Sequence, residues 1–189
     1  LNFKTASIKK FYKNQIDEQG LLAAKSNLYC KKNRVDALND AIRDNIDIAI
    51  FDDGLQDSHL SYDLSFVCFS NTNWIGNGFL IPSGPLRERL KSILKYDAIF
   101  LNGNEEDNLL IKNSINKIGE NIKIFETYYK PINLHKFNID DNYIIFSGIG
   151  DPNSFKKTLL KNKFKIIKEI NFPDHYQYKK KDIERIKSI

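Results

Sequence analysis

A chain of 189 residues with 41% hydrophobic and 28% charged side chains holds enough apolar material for a packed core, which excludes a disordered segment. No unbroken apolar run approaches the ~18 residues of a membrane-spanning helix, and Cys30 and Cys68 have neither the CxxC spacing of a zinc site nor the density of a disulfide framework, so a reducing cytoplasm fits best. The net charge of +5 is spread along the chain and fits either the Lys-, Asn- and Ile-rich bias of an AT-rich genome or attraction to phosphate; no aromatic interleaving points to nucleic acid.

The chain opens at Leu1 without Met or a recognisable signal pattern, and its last helical residues reach Ile189 without a Gly or Asn cap. It reads as an internal fragment, soluble in itself, whose upstream motifs lie outside it. A short helix is expected over 18–25, with Asp17 and Glu18 at its positive end, then a strand near Leu28 to Cys30. Val35, Leu38 and Ile42 recur at helical spacing within 34–43, and the β-branched run 46–51 predicts a buried parallel strand ended by Asp52, Asp53 and Gly54. Further strands are expected at 64–69, 98–101, 122–125 and 143–146, an alternation that implies an α/β sheet. The Gly- and Pro-dense stretch 74–88 reads as an ordered functional loop. From Tyr143 a strand, the turn Ser147 to Pro152, a helix over 153–161 and a strand over 165–170 form a βαβ unit. A boundary within 131–141 would divide the chain into lobes 1–135 and 136–189.

A strand ending in two carboxylates is how P-loop NTPases hold a metal-binding Asp beside phosphates, and Ile48 to Asp53 has that form, although solvated turn carboxylates look the same in so short a stretch. Gly148-Ile149-Gly150 lacks the third glycine of a dinucleotide fingerprint and fits a tight turn, with Asp151 or Asn153 as the helix cap and Pro152 opening the helix. His175, between Asp174 and Tyr176, is either a surface residue or the imidazole that proton transfer from an alcohol requires. Arg87 and Glu88, after the rigid Gly84-Pro85 turn, could be a plain ion pair or an oxyanion-binding fork with a carboxylate beside it. His59 and His135 have no such setting.

Taken together, Phe51-Asp52-Asp53-Gly54-Leu55-Gln56, the block Gly76-Asn77-Gly78 through Gly84-Pro85-Leu86-Arg87-Glu88, the turn Ser147-Gly148-Ile149-Gly150 with Pro152, and Phe172-Pro173-Asp174-His175 resemble the tetraacyldisaccharide 4'-kinase family, the lipid A kinases of Gram-negative bacteria. The resemblance implies a P-loop NTPase-like three-layer α/β fold with helices on both faces and a smaller C-terminal α/β lobe carrying His175. It implies transfer of the γ-phosphoryl of ATP, with Mg²⁺, to the 4'-hydroxyl of a tetraacylated glucosamine disaccharide 1-phosphate. Asp52 and Asp53 would hold Mg²⁺ with support from Glu88, Arg87 would hold phosphate charge, Gln56 would lie on the nucleotide side, and Asn77 and Gly78 would meet the substrate. Ile16-Asp17-Glu18 aligns with the family's Gly-Asp-Glu block, so Asp17 and His175, on opposite sides of the expected lobe boundary, would pair to accept the sugar proton. The family's Walker A loop, GxxxxGK[ST], and its apolar N-terminal segment, which attaches it to the cytoplasmic face of the inner membrane, would both precede Leu1; without the loop, these residues alone should bind ATP poorly. Two other readings stay open: a noncatalytic nucleotide- or sugar-binding module, and a P-loop NTPase with another acceptor.

Overall fold

The computed structural model describes residues 2–103 and 108–189. Strand β1 (Thr5–Lys10) is the centre of a parallel sheet, flanked by β2 (Asn27–Lys31) and β3 (Ile48–Phe51). Helices α1 (Ile16–Lys25) and α2 (Arg34–Arg43) form the crossovers that parallel pairing demands. The side chain of Asn33 caps α2 by accepting from the Val35 amide at 2.9 Å. The small Ala37 and Ala41 then let α2 close on Ile8, all three 1% exposed or less, with Ala49 and Phe51 packed beside them.

That packing corrects one expectation. β3 is parallel but not fully buried: Ile48 and Ile50 are 40% and 60% exposed. The strand lies at the edge of its sheet, and the α2 cluster covers only the side that carries Ala49 and Phe51.

A second parallel sheet runs β4 (Phe66–Ser70), β5 (Ala98–Gly103), β6 (Lys123–Tyr128). One face packs Ile99 and Leu101 on Ile93 of the 3-10 helix Leu90–Lys95 and on Ile115 of α3 (Leu109–Asn116), each burial contributing about 1.5–3 kcal/mol. The other face aligns Phe66, Phe100 and Phe125, with ring centroids 5.2 and 5.4 Å apart. β7 (Asn142–Ser147), α4 (Pro152–Lys161) and β8 (Lys165–Asn171) form the βαβ unit as a parallel pair. Asp151, not Asn153, caps α4, accepting from the Ser154 amide at 3.0 Å. Helix α5 (Lys180–Lys187) ends the chain. Among the described residues, no helix is long and apolar enough to cross a membrane.

Packing separates the chain into two compact units. One comprises Leu1–Ser61, Gly148–Gly150 and Phe172–Ile189, the other Tyr62–Ser147 and Asp151–Asn171. The chain thus passes between units at Ser61, Ser147, Gly150 and Asn171 rather than once near 135, and His175 falls in the same unit as Asp17.

Candidate active site

In the first unit the segment after β8 is shaped by aromatic contacts. Phe172 stacks on Tyr176 at 4.8 Å and meets Tyr178 edge-on at 5.1 Å, while the Tyr176 hydroxyl donates to Asp182 at 3.0 Å. Gly148 lies against this segment: a Cβ there would stand 3.2 Å from the Pro173 carbonyl oxygen, Tyr176 Cβ and the Tyr178 hydroxyl. Its carbonyl accepts the His175 amide at 3.1 Å, so two motifs far apart in sequence are joined here by main chain. His175 takes a left-handed backbone conformation, φ 55°, and its ring turns to α1.

Nδ1 of His175 stands 3.1 Å from both carboxylate oxygens of Asp17, and Nε2 is 3.9 Å from Glu18 Oε1 and from Asp174 Oδ2. The bond network assigns the neutral tautomer in which Nδ1–H donates to Asp17, leaving the Nε2 lone pair to accept a proton. The Asp17 hydrogen bond raises the imidazole above its ordinary pKa; partial desolvation opposes this, and the charges of Asp17, Asp174 and Glu18 add to it. Desolvation pushes the Asp17 carboxyl up, but its bond with His175, backbone hydrogen bonds and the His175 charge together outweigh that and leave it below the usual carboxylate range. A neutral imidazole oriented by one partner and ready to protonate at its other nitrogen is what general-base catalysis needs.

The turn after β3 is held from beneath. Arg34, 7% exposed at the start of α2, donates from Nη2 to the Asp53 carbonyl at 2.7 Å and lies 3.8 Å from Asp57 through Nη1. Asp53 adopts φ 54°, a conformation that Asp tolerates better than most residues, and Gln56 is exposed in the turn that follows. Asp52 presents its carboxylate on the side of Lys9, whose ammonium hydrogen-bonds Asp52 and, at 2.8 Å, Glu18. Burial alone would lower the Lys9 pKa, but its bonds to Asp52 and Glu18 reverse this and hold it above its ordinary value. Lys9, Glu18 and Arg34 are absent from the sequence-derived site. Lys9 sits in Thr5–Lys10, a segment too polar to read as a strand, so only its pairing to two neighbours exposes it.

The remaining expected residues lie in the second unit. Asn77 is committed to its own loop, Nδ2 donating to the Ser83 carbonyl at 2.8 Å and Oδ1 accepting the Phe79 amide at 3.1 Å, and Gly78 has φ 76°. Gly84 is obligatory, because a Cβ would collide with Asn77 Oδ1 and the Phe79 carbonyl. This closure projects Phe79 and Ile81 outward, 63% and 62% exposed. Glu88 accepts the Tyr96 hydroxyl at 2.8 Å; burial, reinforced by that carboxylate, pushes the phenol up to about 12. Arg87 is exposed beside it.

Among the described residues no three His, Cys, Asp or Glu gather closely enough to cage a metal ion. Mg²⁺ is ordinarily held by one or two carboxylates with the rest of its shell from water and phosphate. Asp52, with 46% of its side chain exposed, and Asp53 offer hard oxygen donors of that kind at a rigid strand end.

Residues 12–189 match the profile of the Tetraacyldisaccharide-1-P 4'-kinase family. The chain belongs to this family. It is 50% identical over 185 residues to a tetraacyldisaccharide 4'-kinase of Pelagibacter ubique, covering 98% of this chain and 59% of that protein. A Rickettsia canadensis enzyme of the same name is 34% identical over 181 residues, covering 93% of this chain and 52% of the relative. The chain therefore spans between about half and three-fifths of the length of these relatives. A crystal structure of LpxK from Aquifex aeolicus, determined in complex with ATP, superposes with a TM-score of 0.65 at 21% identity over 94% of this chain and 64% of that one. The fold is thus the α/β fold of this kinase family.

Proposed function

We propose that the complete protein transfers the γ-phosphoryl group of ATP to the 4'-hydroxyl of a tetraacylated glucosamine disaccharide 1-phosphate. The observation that carries this reading is the His175–Asp17 contact, in a unit that also holds Asp52 and Asp53 and in a chain of this family. A sugar hydroxyl is a poor nucleophile. His175 Nε2 takes its proton as the oxygen attacks phosphorus, and ionised Asp17 stabilises the resulting imidazolium through Nδ1–H. Asp52 and Asp53 would hold Mg²⁺, which when bound would supply charge neutralisation at the transferred phosphoryl group. Arg87 meets phosphate through its guanidinium, Gln56 lies toward the nucleotide, and Asn77 and Gly78 shape the loop that receives the sugar. A lipid substrate puts the reaction at a membrane surface, and ATP as the donor puts it on the cytoplasmic face, in this reading that of the inner membrane.

The test uses the complete gene product with γ-labelled ATP, Mg²⁺ and the lipid disaccharide, and reads label at the 4'-position. Label on another small acceptor would establish a different kinase. ATP binding with no transfer to any acceptor would establish a binding module.

A further inference from the structure

Lys9 is a buried charged group of the first unit that no motif accounts for. It lies on the central strand with 5% of its side chain exposed, and an ammonium so deeply placed persists only among compensating carboxylates. Glu18 and Asp52 supply them, one on the helix that carries Asp17 and the other at the end of β3. Glu18 in turn approaches Nε2 of His175 to 3.9 Å through its other oxygen. Contacts between charged groups therefore run from Asp52 through Lys9 and Glu18 to His175.

We propose that Lys9 is a positioning residue, whose ammonium fixes the Asp52 and Glu18 carboxylates against each other and thereby holds the phosphate-side acid and the imidazole in one geometry. This rests on the kinase reading. Two carboxylates that share one cation repel when it is removed: Asp52 swings from its strand-end position, and Glu18 brings its uncompensated charge to bear on His175. The charged groups facing that ring are Asp17 and Glu18 from α1 and Asp174 from its own loop, so Lys9 acts on it through Glu18.

The experiment uses Lys9→Met, Glu18→Gln and the double variant in the complete protein. Two quantities are read: turnover at saturating ATP and lipid, and the NMR titration midpoint of the His175 imidazole without nucleotide or lipid. Lys9→Met is expected to lower turnover about tenfold to a hundredfold with little change in KM for ATP, and to raise the His175 midpoint. In the Glu18→Gln background the same substitution should leave that midpoint where it is. Glu18 is 44% exposed, so Glu18→Gln provides a folded variant should Lys9→Met not fold, and alone it should lower the midpoint and slow turnover. Wild-type turnover and an unmoved midpoint in Lys9→Met, or fully additive effects in the double variant, would overturn the proposal. Should the wild-type protein phosphorylate no lipid, the kinase reading falls by itself, while the titration still decides whether Lys9 is coupled to His175.

Discussion

Two atoms of one imidazole differ in their commitments at His175: Nδ1 is hydrogen-bonded to Asp17, and under the proposed function Nε2 would be left for the sugar hydroxyl. Asp17→Ala and His175→Ala should therefore each lower kcat by about a hundredfold to ten-thousandfold while KM for ATP changes little, as steady-state kinetics on both variants will show. Near-normal kcat in either would remove the proposed base. A pH dependence follows from the same contact. His175 must be neutral to accept the proton, and its bond with Asp17 raises its pKa, so turnover is lost as pH falls through a value above the ordinary imidazole midpoint of about 6.5. Asp17→Asn takes away the stabilising charge, and the acidic limb of its pH–rate profile should move to lower pH. A limb that stays in place would mean that another group titrates.

At the scale of elements, the turn after β3 and the turn after β7 are each held by a contact that packing alone does not supply. Arg34→Ala removes the donor to the Asp53 carbonyl and should cost about 2–3 kcal/mol, read as a lower urea midpoint at unchanged slope. Gly148→Ala sets a methyl against three atoms at 3.2 Å and should cost about 1–3 kcal/mol while also slowing turnover, because the His175 segment must shift. Asp151→Ala, which loses only the α4 cap, should cost about 1 kcal/mol and leave turnover unchanged. The elements themselves were largely legible. Seven strands announce themselves as apolar runs and α2 as a helical stripe. β1 did not, because Thr5, Ser7, Lys9 and Lys10 surround its two core residues, Ala6 and Ile8, and a lysine looks solvated until its carboxylate partners are known. The family resemblance implied the pairing of His175 with Asp17; the contacts of Lys9 and Arg34 join distant segments that no local pattern encodes.

The whole molecule interleaves its two units, and the sequence pattern near 131–141 hides this because it marks a linker within the second unit. The ladder of β7 and β8 lies wholly within residues 142–171. A chain ended at Asn171 should accordingly keep slow amide exchange in those strands while losing turnover. Loss of protection there would mean that the two units are stable only together. The 158 residues separating Asp17 from His175 also impose a timetable on synthesis. At a ribosomal pace of about 5–20 residues per second, the carboxylate waits on the order of 10–30 s for its imidazole to be made, and longer for it to leave the exit tunnel. The nascent chain thus carries the Asp17 carboxylate without its imidazole partner until His175 has emerged, so the proposed base cannot assemble when α1 itself is made.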